Sequence, residues 1–467
     1  MSETELSPED EAPESELDED DRLKPDFVRS VLDAVEAGDA EEARSKVEPL
    51  HPADIADLVE LTPADLRPAL AAAIADFIDG DVLSEMNDWV RDELIAALEP
   101  HQLADIAAEL DTDDAVAIIE DLGEEEQRAV LRALDPDDRA AIEEALSYPE
   151  ESAGRLMQRE LIAVPEHWTV GDVIDYLRTQ DELTTDFWEI FVVDPAHHPV
   201  GTCHLSWILR TPRVVGISDV MKREQTLIPV DMDQEEVALR FQKYALISAA
   251  VTDASGRLVG MITVDDIVHI IQEEAGEDAL LLSGAGDGDI NEPIRDSYKS
   301  RVRWLVANLF TAMVASGIIA IFDTAIQQMV ALAILMPIVA SIGGNAGTQT
   351  MAIAVRALAT NQLTQSNTIR TIRREITVAL LNGATIALLL GVGAAIVFSN
   401  PGLGVVIGTA MVINVLVAGL AGVLVPVSLE RFGQDPAVAS SVFVTMTTDS
   451  MGFFVFLGLA VATGLVG

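Results

Sequence analysis

The chain has 467 residues, with 78 Asp or Glu residues, 29 Lys or Arg residues and a formal net charge of −49. This length predicts several domains rather than one hydrophobic core, and so acidic a surface argues against nucleic acid as a partner. Few lysines with a large acidic excess are typical of halophilic proteins, because high salt screens the self-repulsion. The alternative is that the acidic residues are cation ligands.

The sequence changes character at Lys299. The whole net negative charge lies before this residue, whereas the part that follows is mostly apolar and holds five acidic and eight basic residues. The composition therefore predicts a multidomain membrane protein, in which a soluble acidic part precedes a membrane domain over residues 299–467.

The first predicted elements are helical. Residues 1–25 are acidic and have no apolar cluster, which predicts a disordered tail. Residues 26–152 contain short segments rich in Ala, Leu and Ile that begin at Pro or Asp, as helices often do. The segment "PADIADLVEL" at 52–61 is echoed by "QLADIAAEL" at 102–110. This repetition predicts an all-α domain of stacked helical repeats.

An internal duplication follows the helical domain. Residues 190–209 align with residues 248–268 at an offset of 59, so that Gly201 falls opposite Gly260. Each copy predicts a strand, a turn, a second strand and a helix start, preceded by a further strand and helix. This pattern resembles a tandem pair of cystathionine-β-synthase (CBS) domains, which are α/β domains that usually sense ligands. We assign them to residues 153–220 and 221–270.

The second copy carries a candidate nucleotide site. Its segment "GMITVDD" at 260–266 matches the pattern by which CBS domains often hold a ribose, with Thr263 and Asp266 as the polar contacts. The first copy reads "GTCHLSW" and lacks the aspartate. The resemblance therefore implies at most one nucleotide site per chain, for a ligand such as ATP.

Residues 264–298 predict a connecting helix and a Gly/Asp-rich linker before the membrane domain. We predict five membrane spans, each long enough for a hydrocarbon core about 30 Å thick: residues 304–322, 328–356, 376–398, 404–428 and 437–465. The loops near 323–327 and 399–403 carry no Lys or Arg, so all basic residues after residue 299 lie on one side. The positive-inside rule then predicts a multi-pass cell-membrane protein with a cytoplasmic N-terminus and an extracytoplasmic C-terminus.

The fifth span contains one acidic residue, Asp449. An ionised carboxylate at the centre of a membrane helix costs roughly 3 kcal/mol on insertion scales. Ser441, Thr445 and Gly452 lie at positions −8, −4 and +3 from Asp449, so the four residues share one helix face. This stripe predicts a hydrated ion or proton pathway. The alternative is a protonated or hydrogen-bonded carboxyl that serves helix packing.

The second span contains "PIVASIGGNAGTQT" at 337–350. Asn345 and Gln349, at positions i and i+4, can present amide oxygens on one face. The glycines, Gly344 among them, loosen the helix and admit close approach. Hard cations such as Mg²⁺ prefer oxygen ligands and lose their water reluctantly. The alternative is that the glycines serve only close helix packing. No P-loop, Ser-His-Asp or HExxH motif is present, so we predict neither an enzyme nor an ATP-driven pump.

From residue 26 onward the chain resembles the MgtE family of magnesium channels and transporters. The motifs that carry the resemblance are "ESAGRLM", the CBS pair, "RVRWL", "GGNAGTQ" with "RALAT", and "DPAVAS" with "TTDSMG". The resemblance implies a homodimer whose membrane domains form a central pore for hydrated Mg²⁺. Asp449 matches the pore aspartate and Asn345 the pore asparagine, whereas Ser441 replaces a second asparagine.

The resemblance also implies that cytosolic Mg²⁺ binds between acidic surfaces and closes the pore. The residues that match the family's sensor positions are Asp113, Glu235, Asp266, Glu277 and Asp278. At three further sensor positions this chain has Ala117, Ala245 and His269 instead of acidic residues. The predicted function is thus a Mg²⁺-selective importer that uses the electrochemical gradient. The alternatives are a proton-coupled carrier, a carrier for Mn²⁺ or Co²⁺, and a membrane sensor that transports nothing.

Overall fold

The computed structural model describes residues 16–96, 98–179, 187–284, 291–364 and 366–466. Residues 1–15 of the predicted tail and residues 285–290 of the predicted linker lie outside these ranges. The chain divides into two compact units, Met1–Ile271 and Gln272–Gly467.

The first unit begins with ten short helices. They are α1 (Pro25–Glu36), α2 (Ala40–Val47), α3 (Pro52–Leu61), α4 (Arg67–Ala73), α5 (Gly80–Ser84), α6 (Asp88–Ile95), α7 (Pro100–Ala107), α8 (Thr112–Glu120), α9 (Glu124–Ala133) and α10 (Pro136–Ala145). Pro lies in the first turn of several of them, where its missing N–H is harmless. Asp39 and Asp79 cap α2 and α5 by accepting backbone hydrogen bonds from Glu42 and Val82.

Packing holds these helices together, because isolated helices of this length are marginal in water. Their apolar faces form one core, in which Leu58, Leu70 and Ile118 are fully buried. The repeated segments predicted from the sequence coincide with α3 and α7. The structure differs from the prediction at the tail, because Leu23 is buried in the same core.

Two small sheets of identical topology follow. The elements are β1 (Ala163–Pro165), α11 (Val170–Thr179), β2 (Glu189–Val193), β3 (Pro199–His204), α12 (Leu205–Arg210), α13 (Ile217–Val220), β4 (Leu227–Pro229), α14 (Gln234–Tyr244), β5 (Ser248–Thr252), β6 (Leu258–Thr263) and α15 (Val264–Ser283). In each sheet the first strand is parallel to the second, and the second is antiparallel to the third.

The strand register confirms the internal duplication. Val192 pairs with Gly201 in the first sheet, and Val251 pairs with Gly260 in the second, each beside a register irregularity. A Cβ at either glycine would lie 2.9 Å from a backbone carbonyl oxygen, that of Lys222 or that of Gln158. The offset of 59 residues therefore preserves both the pairing and the close backbone approach.

The second unit contains the apolar helices. They are α16 (Ile294–Ile321), α17 (Asp323–Gln328), α18 (Val330–Ala359), α19 (Thr368–Val397), α20 (Pro401–Arg431) and α21 (Pro436–Ala462). Five of them, all except α17, are long and apolar enough to cross a membrane. This confirms the five predicted spans; the short helix α17 was not predicted.

Helix α20 occupies the centre of this unit, and Ile407, Ala410 and Met411 on it are fully buried. Its contact with α19 is made largely by backbone. A Cβ at Gly404 would overlap the carbonyl oxygen of Gly391, and a Cβ at Gly408 would lie 3.2 Å from that of Ala387. Small residues of this kind let membrane helices approach closely.

Candidate ion pathway and acidic cluster

The acidic residue of the fifth span lies on α21. This helix begins at Pro436, after Asp435 accepts a 2.7 Å hydrogen bond from the Ala437 N–H. In the single chain, Asp449 and Ser441 are partly exposed and Thr445 is exposed. These three residues of the predicted polar stripe therefore lie at the surface of the single chain.

The polar residues of the second span lie on α18. Asn345 and Gln349 are exposed in the single chain, and Gly344 has open space where a side chain would stand. The opposite side of α18 packs on α21, where a Cβ at Gly347 would lie 2.6 Å from Val444 Cγ1. Gly347 therefore serves close helix packing, whereas Gly344 does not.

Gly452 is buried, unlike the other residues of its predicted stripe. It packs against Asn414 of α20, an asparagine with no exposed surface. The sequence analysis did not identify Asn414, although an amide within the apolar span 404–428 was a signal for it. The structure therefore brings a packing contact, rather than open space, to the C-terminal end of the stripe.

The first unit contains an acidic cluster where α8 faces the start of α15. The carboxyl group of Asp113 lies near that of Asp266, and Asp266 accepts a 2.6 Å hydrogen bond from the Thr263 hydroxyl. Glu160 lies beside them and accepts hydrogen bonds from the backbone and the hydroxyl of Thr112. The sequence analysis did not identify Glu160, because its proximity depends on the tertiary fold.

Burial and mutual repulsion raise the pKa values in this cluster. Burial, with the charges of Asp266 and Asp114, raises the pKa of Asp113 well above its usual range. The pKa of Asp114 rises to about 7 and that of Asp111 to about 6, in both cases chiefly through burial. Burial therefore disfavours the ionised form of Asp113 beside Asp266. A bound cation would relieve the same repulsion.

Within the described ranges, no three His, Cys, Asp or Glu side chains are arranged to hold a metal ion directly. Of the other predicted sensor residues, Glu235 on α14 is partly buried and Glu277 on α15 is exposed. Burial and the charge of Asp435 raise the pKa of Asp278, also on α15. Asp435 was not identified from the sequence, although it opens the "DPAVAS" motif.

A separate cavity of about 290 Å³ lies between the two small sheets. It is lined by Glu189, Phe191, Thr202, Lys222, Glu224, Gln225, Thr226, Tyr244, Leu246, Ser248, Ala249 and Ala250. Neither Thr263 nor Asp266, the predicted nucleotide contacts, is part of this lining. Instead, the Thr263 hydroxyl donates a hydrogen bond to Asp266 in the acidic cluster.

Without divalent ions, we expect the thermal unfolding temperature of the full-length protein to fall by several degrees between pH 5.5 and pH 8. A carboxyl group whose pKa is raised by folding stabilises the folded state while it is protonated, and this contribution is lost as pH rises through the folded-state pKa. Asp111 and Asp114, at about 6 and 7, titrate inside this window.

Tryptophan fluorescence during heating in a chelating buffer measures this pH dependence. The variant Asp266→Asn should flatten it, because the charge of Asp266 helps to raise the pKa values of both Asp111 and Asp114 and the amide is neutral. An equal slope in the variant and the wild type would contradict this origin of the pH dependence.

Comparison with known proteins supports a family assignment. The profile of the family described as MgtE, divalent cation transporter, matches residues 336–459. The MgtE intracellular N domain matches residues 50–151, and the CBS domain matches residues 217–273. Along the chain, the three matches fall on the helical domain, the second small sheet and the membrane helices.

Three curated relatives are named magnesium transporter MgtE. The one from Thermus thermophilus is 34% identical over 317 residues, which cover 67% of this chain and 70% of the relative. The one from Enterococcus faecalis is 32% identical over 315 residues, which cover 68% of this chain and 70% of the relative. The one from Bacillus subtilis is 26% identical over 438 residues, covering 94% and 97%.

Among solved structures, the chain is similar to the soluble part of a magnesium transporter, at 25% identity and a TM-score of 0.46 over 54% of this chain and 98% of that one. It is also similar to the cytosolic domain of the Mg²⁺ channel MgtE in complex with ATP, at 29% identity and a TM-score of 0.46 over 52% and 99%. From the matched domains and the identity to its relatives, the chain belongs to the MgtE family of divalent cation transporters.

Proposed function

We propose that this protein is a homodimeric, channel-like Mg²⁺ transporter of the cell membrane that closes when cytosolic Mg²⁺ binds its acidic cluster. The observation that carries the proposal is that Asp449, the one acidic residue of α21, is partly exposed and that Thr445 on the same helix face is exposed. Intramembrane carboxylates face a bundle interior or water and mark ion pathways. The domain boundaries predicted from the sequence also form part of this proposal.

A second copy of the chain explains the exposed polar residues. Asn345, Gln349 and Thr445 are exposed in the single chain, yet polar side chains in a bilayer require protein or water around them. A homodimer whose copies meet at these surfaces would enclose them around a shared path. Each copy would then contribute one Asp449 carboxylate to the path.

The chemistry of this path suits a hydrated divalent cation. Mg²⁺ keeps several of its waters in most protein sites, and the amide, hydroxyl and carboxylate oxygens of Asn345, Thr445 and Asp449 can accept hydrogen bonds from those waters. An inside-negative membrane potential contributes about 2.3 kcal/mol per charge per 100 mV. With the predicted cytoplasmic N-terminus, inward flow of a divalent ion therefore needs no coupled energy source.

The acidic cluster suits a sensor of cytosolic Mg²⁺. Burial and the charge of Asp266 disfavour an ionised Asp113, and a divalent ion between the two carboxyl groups would relieve this repulsion. A ligand shifts a conformational equilibrium by its difference in affinity for the two states. Mg²⁺ that binds only when α8 and α15 are close thus favours one compact state, which we identify with the closed pathway.

ATP is a proposed ligand of the paired sheets. The cavity between them fits a nucleoside, because Phe191 and Tyr244 offer aromatic rings and Thr202 offers a hydroxyl. Its volume lies at the lower end of the range of about 300–1,000 Å³ for small-molecule sites. Among the lining residues, Lys222 is accompanied by Glu189 and Glu224, so the phosphates would gain little there. The cavity would therefore hold the adenosine part.

Flux into liposomes tests the proposed function. We expect the purified protein to carry Mg²⁺ down an imposed gradient, and to stop when Mg²⁺ is raised on the side of the first unit. A pH gradient imposed at constant membrane potential should not change the flux; if uptake disappears with the pH gradient, the protein is a proton-coupled carrier.

Competition measures the selectivity of the same preparation. Mn²⁺ or Co²⁺ transported in preference to Mg²⁺ would assign a different physiological ion. The absence of divalent flux from folded dimers would favour a membrane sensor that transports nothing.

A further inference from the structure

We propose that Asn414 is a positioning residue that fixes the register of α18 against α21, and thereby the alignment of Asn345 with Asp449 along the ion path. The inference rests on the proposed function, since it concerns the same path. Asn414 itself belongs to α20 and has no exposed surface, so it does not contact the transported ion.

The contacts of Asn414 reach both helices of the path. Its amide nitrogen donates a 3.0 Å hydrogen bond to the carbonyl oxygen of Val339 on α18. On the same helix, a Cβ at Gly343 would collide with that amide nitrogen. On α21, a Cβ at Gly452 would lie 2.8 Å from the amide nitrogen and 3.1 Å from the amide oxygen. One side chain therefore occupies the crossing of three helices.

The distances along the helices make this crossing relevant to the path. At a rise of about 1.5 Å per residue, Gly343 lies about 3 Å along the axis from Asn345. Gly452 lies about 4.5 Å from Asp449 by the same measure. Each of the two ion-facing side chains is thus within one helical turn of the Asn414 contact. A sliding of either helix at the crossing would move its polar side chain by the same amount.

Stability does not explain an asparagine at this position. The amide oxygen of Asn414 is buried and has no hydrogen-bond partner among the described residues. A buried polar atom without a partner destabilises a fold, and an apolar side chain of similar volume is often neutral or stabilising. What an apolar side chain cannot supply is the directional bond to the Val339 carbonyl, which selects one register of α18.

The test uses Asn414→Leu, which keeps the number and branching of the side-chain heavy atoms and removes the hydrogen bond. We expect the variant to form dimers with an unfolding temperature equal to or above that of the wild type. We expect its Mg²⁺ flux to fall about tenfold, because small displacements of aligned groups have large effects on rate, and its ratio of Mg²⁺ flux to Mn²⁺ flux to move towards one. Asn414→Leu dimers with the flux and the ratio of the wild type would overturn the proposal.

Alanine substitutions at Gly452 and Gly393 provide an independent test if Asn414→Leu does not assemble. Gly452→Ala adds a methyl group that must displace Asn414, whereas Gly393→Ala on α19 adds one where no heavy atom lies within 4 Å. A changed flux ratio in Gly452→Ala with an unchanged ratio in Gly393→Ala supports the proposal, and equal ratios in both overturn it. Mg²⁺ flux through the wild type in the same liposomes tests the proposed function separately.

Discussion

Replacing Asp449 by Asn is expected to reduce Mg²⁺ uptake to the background of protein-free liposomes. The substitution keeps the volume and one oxygen but removes a negative charge from each copy of the chain. A divalent ion that enters a low-dielectric region without opposite charge has lost its main attraction, because electrostatic interactions are strongest there. Flux of Mg²⁺ into dye-loaded liposomes, at equal amounts of reconstituted dimer, measures the loss.

Asp323→Asn is the matched control for this experiment. Asp323 is another acidic residue of the membrane unit, but it is exposed in α17 and bonded to the side chain of Gln327. This variant should transport Mg²⁺ as the wild type does. Normal flux through Asp449→Asn, with dimer assembly unchanged by mass measurement, would remove the basis of the proposed pathway.

Replacing Asp113 by Asn is expected to keep the pathway open at cytosolic Mg²⁺ concentrations that close the wild type. The substitution removes one of the two facing carboxyl groups and so weakens the attraction for the ion. A higher Mg²⁺ concentration is then needed to hold the compact state. We expect the half-closing Mg²⁺ concentration to rise about tenfold, which corresponds to about 1.4 kcal/mol of lost binding free energy. Flux measured against graded Mg²⁺ on the side of the first unit gives this concentration.

Glu125→Gln is the control for the sensor variant, because Glu125 is an exposed acidic residue of α9 outside the cluster. It removes the same charge from the same domain, so an effect of total charge would appear in both variants. A shift of equal size in the two would assign the response to overall charge. An unchanged half-closing Mg²⁺ concentration in Asp113→Asn would show that closure by Mg²⁺ does not depend on this cluster.

Much of the fold was predictable from local patterns. The five spans follow from uninterrupted apolar length, which a bilayer requires of any helix that crosses it. The paired sheets follow from a repeat whose offset places Gly201 and Gly260 at the same point of the strand register. The tail was predicted less well, because the burial of Leu23 depends on a core formed by residues far along the chain.

The candidate sites were predictable only in part. Asp449 and Asn345 stand out as polar residues in apolar spans, whereas Asp113 and Asp266 came from the family resemblance. Composition cannot reveal that Glu160 lies beside Asp111, because 49 positions separate them and only the fold brings them together. Helix periodicity placed Gly452 on the polar face, but it could not tell that a neighbouring side chain fills the space there.

The backbone contact between α19 and α20 limits how the membrane unit can move. Where Gly391 meets Gly404 there are no side chains that could change rotamer and absorb a displacement. Close-packed interiors rearrange by discrete steps rather than by continuous deformation. We therefore expect α19 and α20 to move together as one rigid unit. Under the proposed function, we therefore expect opening and closing of the ion path to be carried by the remaining long helices, which shift around this pair.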